Sequence, residues 1–287
     1  PVLTVAVPQD TTLYADADCM SDYVTGVPYP EASATDNCDN DVDIASSHFD
    51  GTKSYSCVPS TGSFSMLRTY VYTATDNCGN DTTVYRYQNV TVLDTISPTF
   101  DVVAPSDLTV NIDAFCGANT STTIGGMPTV SNAADNCDST VDIDIDHEDS
   151  TPVHTCMAED GTPEGSYTFV RTFTVTATDD CGNTTVQQVS QNLTAVDVTS
   201  PVITAVENMA AITYTLGTDC MLDLTAPVEP TRSATDACDT QVATTATYSD
   251  GNISYNCAAD DGQADGSYSF VRTWTITATD DCGNPSS

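Results

Sequence analysis

Residues 169–179 read Phe-Val-Arg-Thr-Phe-Thr-Val-Thr-Ala-Thr-Asp. Phe169, Arg171, Phe173, Val175 and Ala177 share one parity, and Val170, Thr172, Thr174, Thr176 and Thr178 share the other. Alternation of period two, with threonine on one side, marks a strand with a buried face and a wet face. The same parity recurs in Met66, Arg68, Tyr70, Tyr72 and Ala74, and again in Phe270, Arg272, Trp274, Ile276 and Ala278. Each copy runs into a Cys-Gly-Asn turn, at 78–80, 181–183 and 282–284. A period of about 100 residues suits a small domain, not a solenoid turn.

Further strands are expected near 3–7, 12–15, 24–28, 42–49, 53–57 and 82–93, with counterparts in the later copies. Asp50-Gly51 and Asp250-Gly251 supply turns between them. No segment carries a helical period. The expected fold is all-β: three tandem immunoglobulin-like β-sandwich domains at 1–97, 98–200 and 201–287. The third is expected to lack its last strand, as in a piece of a longer secreted protein. The linkers, 93–98 and 196–201, are short and contain no glycine, which predicts limited flexing.

Cysteine occurs as three sets of four: Cys19, Cys38, Cys57, Cys78; Cys116, Cys137, Cys156, Cys181; Cys220, Cys238, Cys257, Cys282. Zinc sites want closely spaced cysteine pairs, whereas every gap here is wide, so a disulfide framework in an oxidising compartment is expected, two bonds per domain. Immunoglobulin topology puts the first and third cysteine of a set at one pole and the second and fourth at the other. The expected bonds are Cys19–Cys57, Cys38–Cys78, Cys116–Cys156, Cys137–Cys181, Cys220–Cys257 and Cys238–Cys282. The rival pattern joins sequence neighbours.

The chain carries 41 acids against 6 bases, for a net charge of −35. That balance argues against a nucleic-acid partner. Disorder is excluded by a patterned hydrophobic content of 39%. No run is apolar and long enough for membrane insertion, and no signal peptide is visible.

Phe-Val-Arg-Thr-Trp-Thr-Ile-Thr-Ala-Thr-Asp-Asp-Cys-Gly-Asn (270–284), Asp-Asn-Cys-Asp-Asn (36–40) and the linker Asp-Thr-Ile-Ser-Pro (94–98) together resemble hyalin-repeat, HYR-like immunoglobulin-like domains. The resemblance covers nearly the whole chain, although these copies are longer and richer in cysteine. It implies an extracellular sandwich used for adhesion, matrix or surface filaments, with no catalytic residues.

Three sets of residues are candidate sites. The pole of the second and fourth cysteines gathers Asp36, Asp39 and Asp76 in the first copy. It gathers Asp135, Asp138 and Asp179 in the second, and Asp236, Asp239 and Asp280 in the third. The linkers bring Asp94 and Asp197 to the same pole. Calcium takes six to eight hard oxygens, so these carboxylates are candidate Ca2+ ligands. The alternative is that each Asp caps a turn. Glu164 belongs to an acidic loop whose simplest reading is loop variation. Six sequons, at Asn80, Asn89, Asn119, Asn183, Asn192 and Asn252, are candidate glycosylation sites.

His48, His147 and His154 occupy positions filled by tyrosine in other copies, which asks for a flat ring and not a proton shuttle. Arg68, Arg171 and Arg272 are expected to pair with an acid or stack on an aromatic. No nucleophile elbow or phosphate loop appears, so the chain reads as a non-enzyme. The expected function is a rod-like extracellular structural or adhesive protein, part of a filament, that associates with itself or with other extracellular chains. A calcium- or carbohydrate-binding module and a spacer in a larger secreted enzyme are the alternatives.

Overall fold

The computed structural model describes residues 1–58, 62–112, 125–157, 161, 163–207, 210–216, 228–258 and 264–287. All regular structure among them is β, and each sequence copy holds seven strands. The first copy contains β1 (Val2–Val5), β2 (Thr11–Tyr14), β3 (Ala32–Thr35), β4 (Asp43–Asp50), β5 (Ser54–Tyr55), β6 (Phe64–Thr75) and β7 (Asp81–Leu93). The second contains β8 (Thr99–Val103), β9 (Leu108–Asn111), β10 (Thr129–Ala134), β11 (Asp142–Asp149), β12 (Val153–Met157), β13 (Pro163–Thr178) and β14 (Thr184–Val196). The third contains β15 (Val202–Val206), β16 (Arg232–Thr235), β17 (Ala243–Asp250), β18 (Ser254–Ala258), β19 (Ala264–Ser269), β20 (Arg272–Thr279) and β21 (Pro285–Ser286).

In the first copy β1 pairs with β3, and a larger sheet runs β2-β7-β6-β4 with β5 also on β6. The second copy repeats this order as β8 with β10 and β9-β14-β13-β11 with β12. β2 joins β7 in parallel, as β9 joins β14, while the long β6–β7 ribbon is antiparallel. Val5 of β1 packs on Tyr70 and Tyr72 of β6, so the two sheets face each other as a sandwich. Phe100 does the same for Val175 and Ala177, with Ile143 and Ile145 against them. Asp142, Asp144 and Asp146, which alternate with those isoleucines, lie on the wet face of β11.

The long strand buries the parity read from sequence. Met66, Arg68, Tyr70, Tyr72 and Ala74 are buried, and so are Phe169, Arg171, Phe173, Val175 and Ala177. The strand near 24–28 is a correction. Those residues turn, and Ala32–Thr35 is the strand. Pro28 and Pro30 carry no N–H for a ladder. Their carbonyls instead accept from the Tyr70 and Tyr72 hydroxyls at 3.5 and 2.6 Å. Val27 still enters the core from the turn.

The third copy keeps β17 on β20, and β20 pairs with the two-residue β21. By contact the chain divides into two compact units. One comprises Pro1–Ala104, Pro128–Glu148 and Thr172–Val189; the other comprises Pro105–Met127, Asp149–Arg171 and Ser190–Ser287. Both units draw residues from the second sequence copy.

Candidate metal centres and inter-repeat disulfides

The disulfides overturn the expected pairing. Cys19 bonds Cys137, Cys57 bonds Cys181, and Cys156 bonds Cys282, with Cα–Cα distances of 4.8, 4.9 and 5.0 Å. Cys38 and Cys78, expected to pair with each other, are exposed thiols. Cys257, expected to pair with Cys220, is another. Cys238, expected to pair with Cys282, is disulfide-bonded elsewhere. The expected Cys137–Cys181 bond is replaced by bonds from both to the first copy. Cys116 and Cys220 lie outside the described residues. Each of these three bonds leaves its own copy: Cys19 meets the second cysteine of the next copy, and Cys57 and Cys156 each meet the fourth.

Local structure makes room for those sulfurs. Each copy places Gly-Ser before or early in its long strand region, at 62–63, 165–166 and 266–267. A Cβ on Gly62 would stand 2.5 Å from Cys137 Sγ, and one on Gly165 would collide with Cys282 Sγ. Ser63 Oγ accepts from the Asp94 amide at 2.7 Å and lies 3.3 Å from Cys181 Sγ. Ser166 Oγ accepts from the Asp197 amide at 2.8 Å and lies 3.6 Å from Cys282 Sγ. The serine therefore fixes both the linker and the arriving disulfide. This Gly-Ser pair is the sequence signal that could have revealed bonding between copies.

Linker carboxylates converge beside these bonds. Oxygens of Asp94, Asp135 and Asp179 lie within 4.8 Å of one another, and Asp94 and Asp179 are buried. Turn capping takes four of the six oxygens, with Asp179 Oδ2 accepting from the Asn183 side-chain amide at 2.8 Å. Asp135 Oδ1 accepts from the Cys137 amide at 2.8 Å, Asp94 Oδ1 from Ile96 at 3.1 Å, and Asp179 Oδ1 from Asn183 at 2.7 Å. Asp94 Oδ2, Asp135 Oδ2 and Asp138 Oδ1 are buried with no hydrogen-bond partner. Burial pushes the Asp94 carboxyl up, and the charges of Asp135, Asp179 and Asp138 push the same way. For Asp94 and Asp135, turn capping and cation binding thus use different oxygens of the same side chain, whereas both Asp179 oxygens accept from Asn183. An all-oxygen set with unsatisfied buried carboxylates fits a hard cation of the calcium class.

In the third copy Asp197, Asp236 and the Cys238 sulfur form the equivalent group. That sulfur is in a disulfide, so it offers no thiolate. Burial raises the Asp236 carboxyl, and Asp197 and Asp280 add to the effect. Asp239 is drawn into a separate group with Glu164 and Asp281. Its Oδ1 accepts from Gln241 and its Oδ2 from Asp281, while Glu164 accepts from Thr240. Among the described residues of the first copy no such convergence occurs. Asp36 takes the Pro1 ammonium at 3.1 Å, Asp39 accepts from Asn77, and Asp76 caps Cys78 and Asn80.

Among the sequons, Asn80, Asn89, Asn192 and Asn252 are exposed, and Asn119 lies outside the described residues. Asn183 Nδ2 donates to both Asp179 and the Asp94 carbonyl. A glycan there would cost one of those bonds, since a glycosylated amide keeps a single N–H.

The arginines are structural, as expected. Arg68, Arg171 and Arg272 each pair through Nε with Asp50, Asp149 and Asp250 at 2.7, 2.7 and 2.6 Å. The histidine positions hold rings packed on the long strand region: His48 on Tyr70, His147 on Phe173, His154 on Tyr167 and Tyr248 on Trp274.

No protein-family model matches the sequence, and no curated protein does. Solved cadherin structures are similar over most of the chain. Human CDH23 EC21-23 matches at 14% identity and TM-score 0.29, covering 96% of this chain and 94% of that one. The protocadherin gammaB7 EC3-6 cis-dimer structure matches at 15% and 0.29, covering 100% and 71%. Mouse cadherin-23 EC22-24 matches at 15% and 0.27, covering 96% and 90%. Superpositions this loose carry no argument about function. Among the described residues no helix is long and apolar enough to cross a membrane.

Proposed function

We propose that this chain is a structural or adhesive segment of an extracellular protein, of hyalin-repeat type, that works by fastening sandwich repeats covalently in series. The carrying observation is that Cys57–Cys181 and Cys156–Cys282 each join one copy to the next. Such bonds make little sense as staples of an isolated domain and good sense where tension passes along repeats. They also require an oxidising compartment, which supports a location outside the cell.

Calcium is the cation proposed for Asp94, Asp135 and Asp179. It would neutralise buried carboxylates that otherwise repel, and would hold the linker on the following repeat. The reading needs no reaction and assigns no catalytic residue. It is tested by placing a protease site in the linker at 95–97 and labelling intact cells of the source. Label on the outer surface, and repeats that separate after cleavage only when reduced, are expected. Separation without reductant overturns it.

A second reading, a carbohydrate-binding module, is favoured by one face of the first copy. Phe49 and Tyr87 both sit opposite Thr69 across the sheet, and Tyr85 sits opposite Val71. The three rings are exposed by 58, 59 and 51%, in a row suited to stacking on sugar rings. Loss of glycan retention on Tyr85→Ala/Tyr87→Ala would support it; a wild-type chain that retains no glycan removes it.

A further inference from the structure

Resting on the reading of the first copy's ring row as a sugar-stacking face, we infer that the sugar it takes is the chain's own: an N-linked glycan on Asn89 whose first residues lie on Tyr87, with Tyr85 and Phe49 beyond. Asn89-Val90-Thr91 is a sequon within β7. Alternate residues of a strand share a face, about 6.8 Å apart. Asn89 therefore stands between Tyr87 and Thr91 on the outer face of the sheet. Asn89 and Tyr87 are exposed, while the interleaved Gln88 and Val90 are buried. Across the sheet Asn89 sits opposite Leu67, itself exposed, and Phe49 and Tyr87 flank Thr69, about 10 Å apart. A pyranose offers an apolar C–H face to the electron-rich face of such rings.

Attachment at Asn89 breaks no hydrogen bond. Asp10 Oδ1 accepts from the Asn89 backbone amide at 2.9 Å, and Asp10 Oδ2 from Asn89 Nδ2 at 3.1 Å. Glycosylation takes one hydrogen of Nδ2 and leaves the other for Asp10. Asn183, whose Nδ2 makes two bonds, would lose one. The second copy shows that the rings answer no need of the fold. There Asn192-Leu193-Thr194 holds the same place in β14, and Asp107 clamps Asn192 at 2.9 and 3.0 Å. Where the first copy has Tyr87, Tyr85 and Phe49, the second has Ser190, Gln188 and Glu148. A row of exposed rings is a liability unless something covers it. It stands beside one sequon and is missing beside its twin.

Attachment is a substitution at the anomeric carbon of the first sugar. The donor is a polyprenyl-diphosphate oligosaccharide of the secretory pathway. Its C1–O bond to phosphate breaks, and the electron pair leaves with the diphosphate. The Nδ2–C1 bond forms as Nδ2 gives up one proton.

The test is secretion of the 287-residue chain from a mammalian cell line held at a uniform oligomannose glycan. Mass spectrometry reads the occupancy of each sequon, and NMR of isotope-labelled glycan reads its seating. The N-acetyl methyl of the first sugar on Asn89 is expected to shift upfield in the ring current of Tyr87, with cross-relaxation to that ring. The Asn192 glycan of the same chain is the internal reference and is expected to show neither. Tyr87→Ser, which copies the second repeat, should return the Asn89 signals to the Asn192 values. An empty Asn89 overturns the inference, and so does an occupied Asn89 with Asn192-like signals. In either event, sugar-free chain from a bacterial periplasm separates this failure from that of the carbohydrate-module reading. If that chain retains free oligomannose, the module reading survives; if it retains none, both fall.

Discussion

Pulling the chain from its two ends separates the two disulfide arrangements by length. Let the exposed thiols be alkylated first, and let force unfold every sandwich. With the observed bonds, the shortest covalent path crosses from Cys19 to Cys137 and from Cys156 to Cys282. Only 1–19, 137–156 and 282–287 then stretch, at most about 42 peptide steps, or ~150 Å at ~3.4 Å per residue with both bridges. The reduced chain of 287 residues would reach roughly 980 Å. Six bonds confined within repeats would instead leave about 157 steps in the path, or roughly 530 Å. Replacing Cys156 by Ser removes the second shortcut, and the path lengthens to at most roughly 550 Å, less what the Cys238 disulfide bridges. The assay is optical trapping with a handle on each terminus, before and after reductant. An oxidised contour length near 150 Å that jumps several-fold on reduction is expected. An oxidised length near 500 Å in the wild-type chain would refute bonding between copies.

Other consequences follow from the site and the core. Millimolar calcium should stabilise the unit holding Asp94 by about 0.4–1.4 kcal/mol if affinity lies in the 10⁻⁴–10⁻³ M range of extracellular modules, read as a shift in calorimetric melting. Asp94→Asn should abolish that shift; an undiminished response removes the site. In chelator, Asp94 has a folded pKa above its unfolded value, so its ionisation opposes folding. That penalty is complete above the raised pKa and fades as pH falls toward the ordinary aspartate value near about 4. Wild type should therefore lose stability relative to Asp94→Asn as pH rises through that window, and an unchanged difference contradicts the argument. Arg68 is fully buried against Asp50, whereas Arg272 is 17% exposed and its partner 37%. Arg68→Ala should lower the denaturant midpoint by clearly more than Arg272→Ala. Equal costs would mean burial is not what sets the strength of these pairs. Gly165→Ala should slow closure of Cys156–Cys282, seen as persistent free thiol after oxidation, because its Cβ meets Cys282 Sγ and its φ is +58°.

Much of this molecule is readable from residue order. The parity of 169–179 fixed which side chains enter the core, because a strand has only two faces. The carboxylate pole was readable too: Asp94, Asp135 and Asp179 meet because a short linker must enter beside the turns that carry the other two. What stayed hidden depends on contacts between repeats. Cysteine order places each sulfur at a pole, but it does not say whether the nearest sulfur belongs to the same sandwich or to the next. Gly62 and Gly165 held that information, since an empty Cβ position beside a cysteine implies an arriving atom. The strand expected at 24–28 failed for a local reason, two prolines that withhold ladder donors. The separate grouping of Asp239 with Glu164 also depends on an approach between copies that spacing does not encode.

Peptide mapping under non-reducing conditions tests the central claim most directly. Trypsin cuts after Lys53, Arg68, Arg86, Arg171, Arg232 and Arg272. The fragments 54–68 and 273–287 then carry one cysteine each, Cys57 and Cys282. The account predicts 54–68 linked to 172–232, and 273–287 linked to 87–171. Finding 54–68 on 1–53 and 273–287 on 233–272 would return every bond to its own repeat and contradict it.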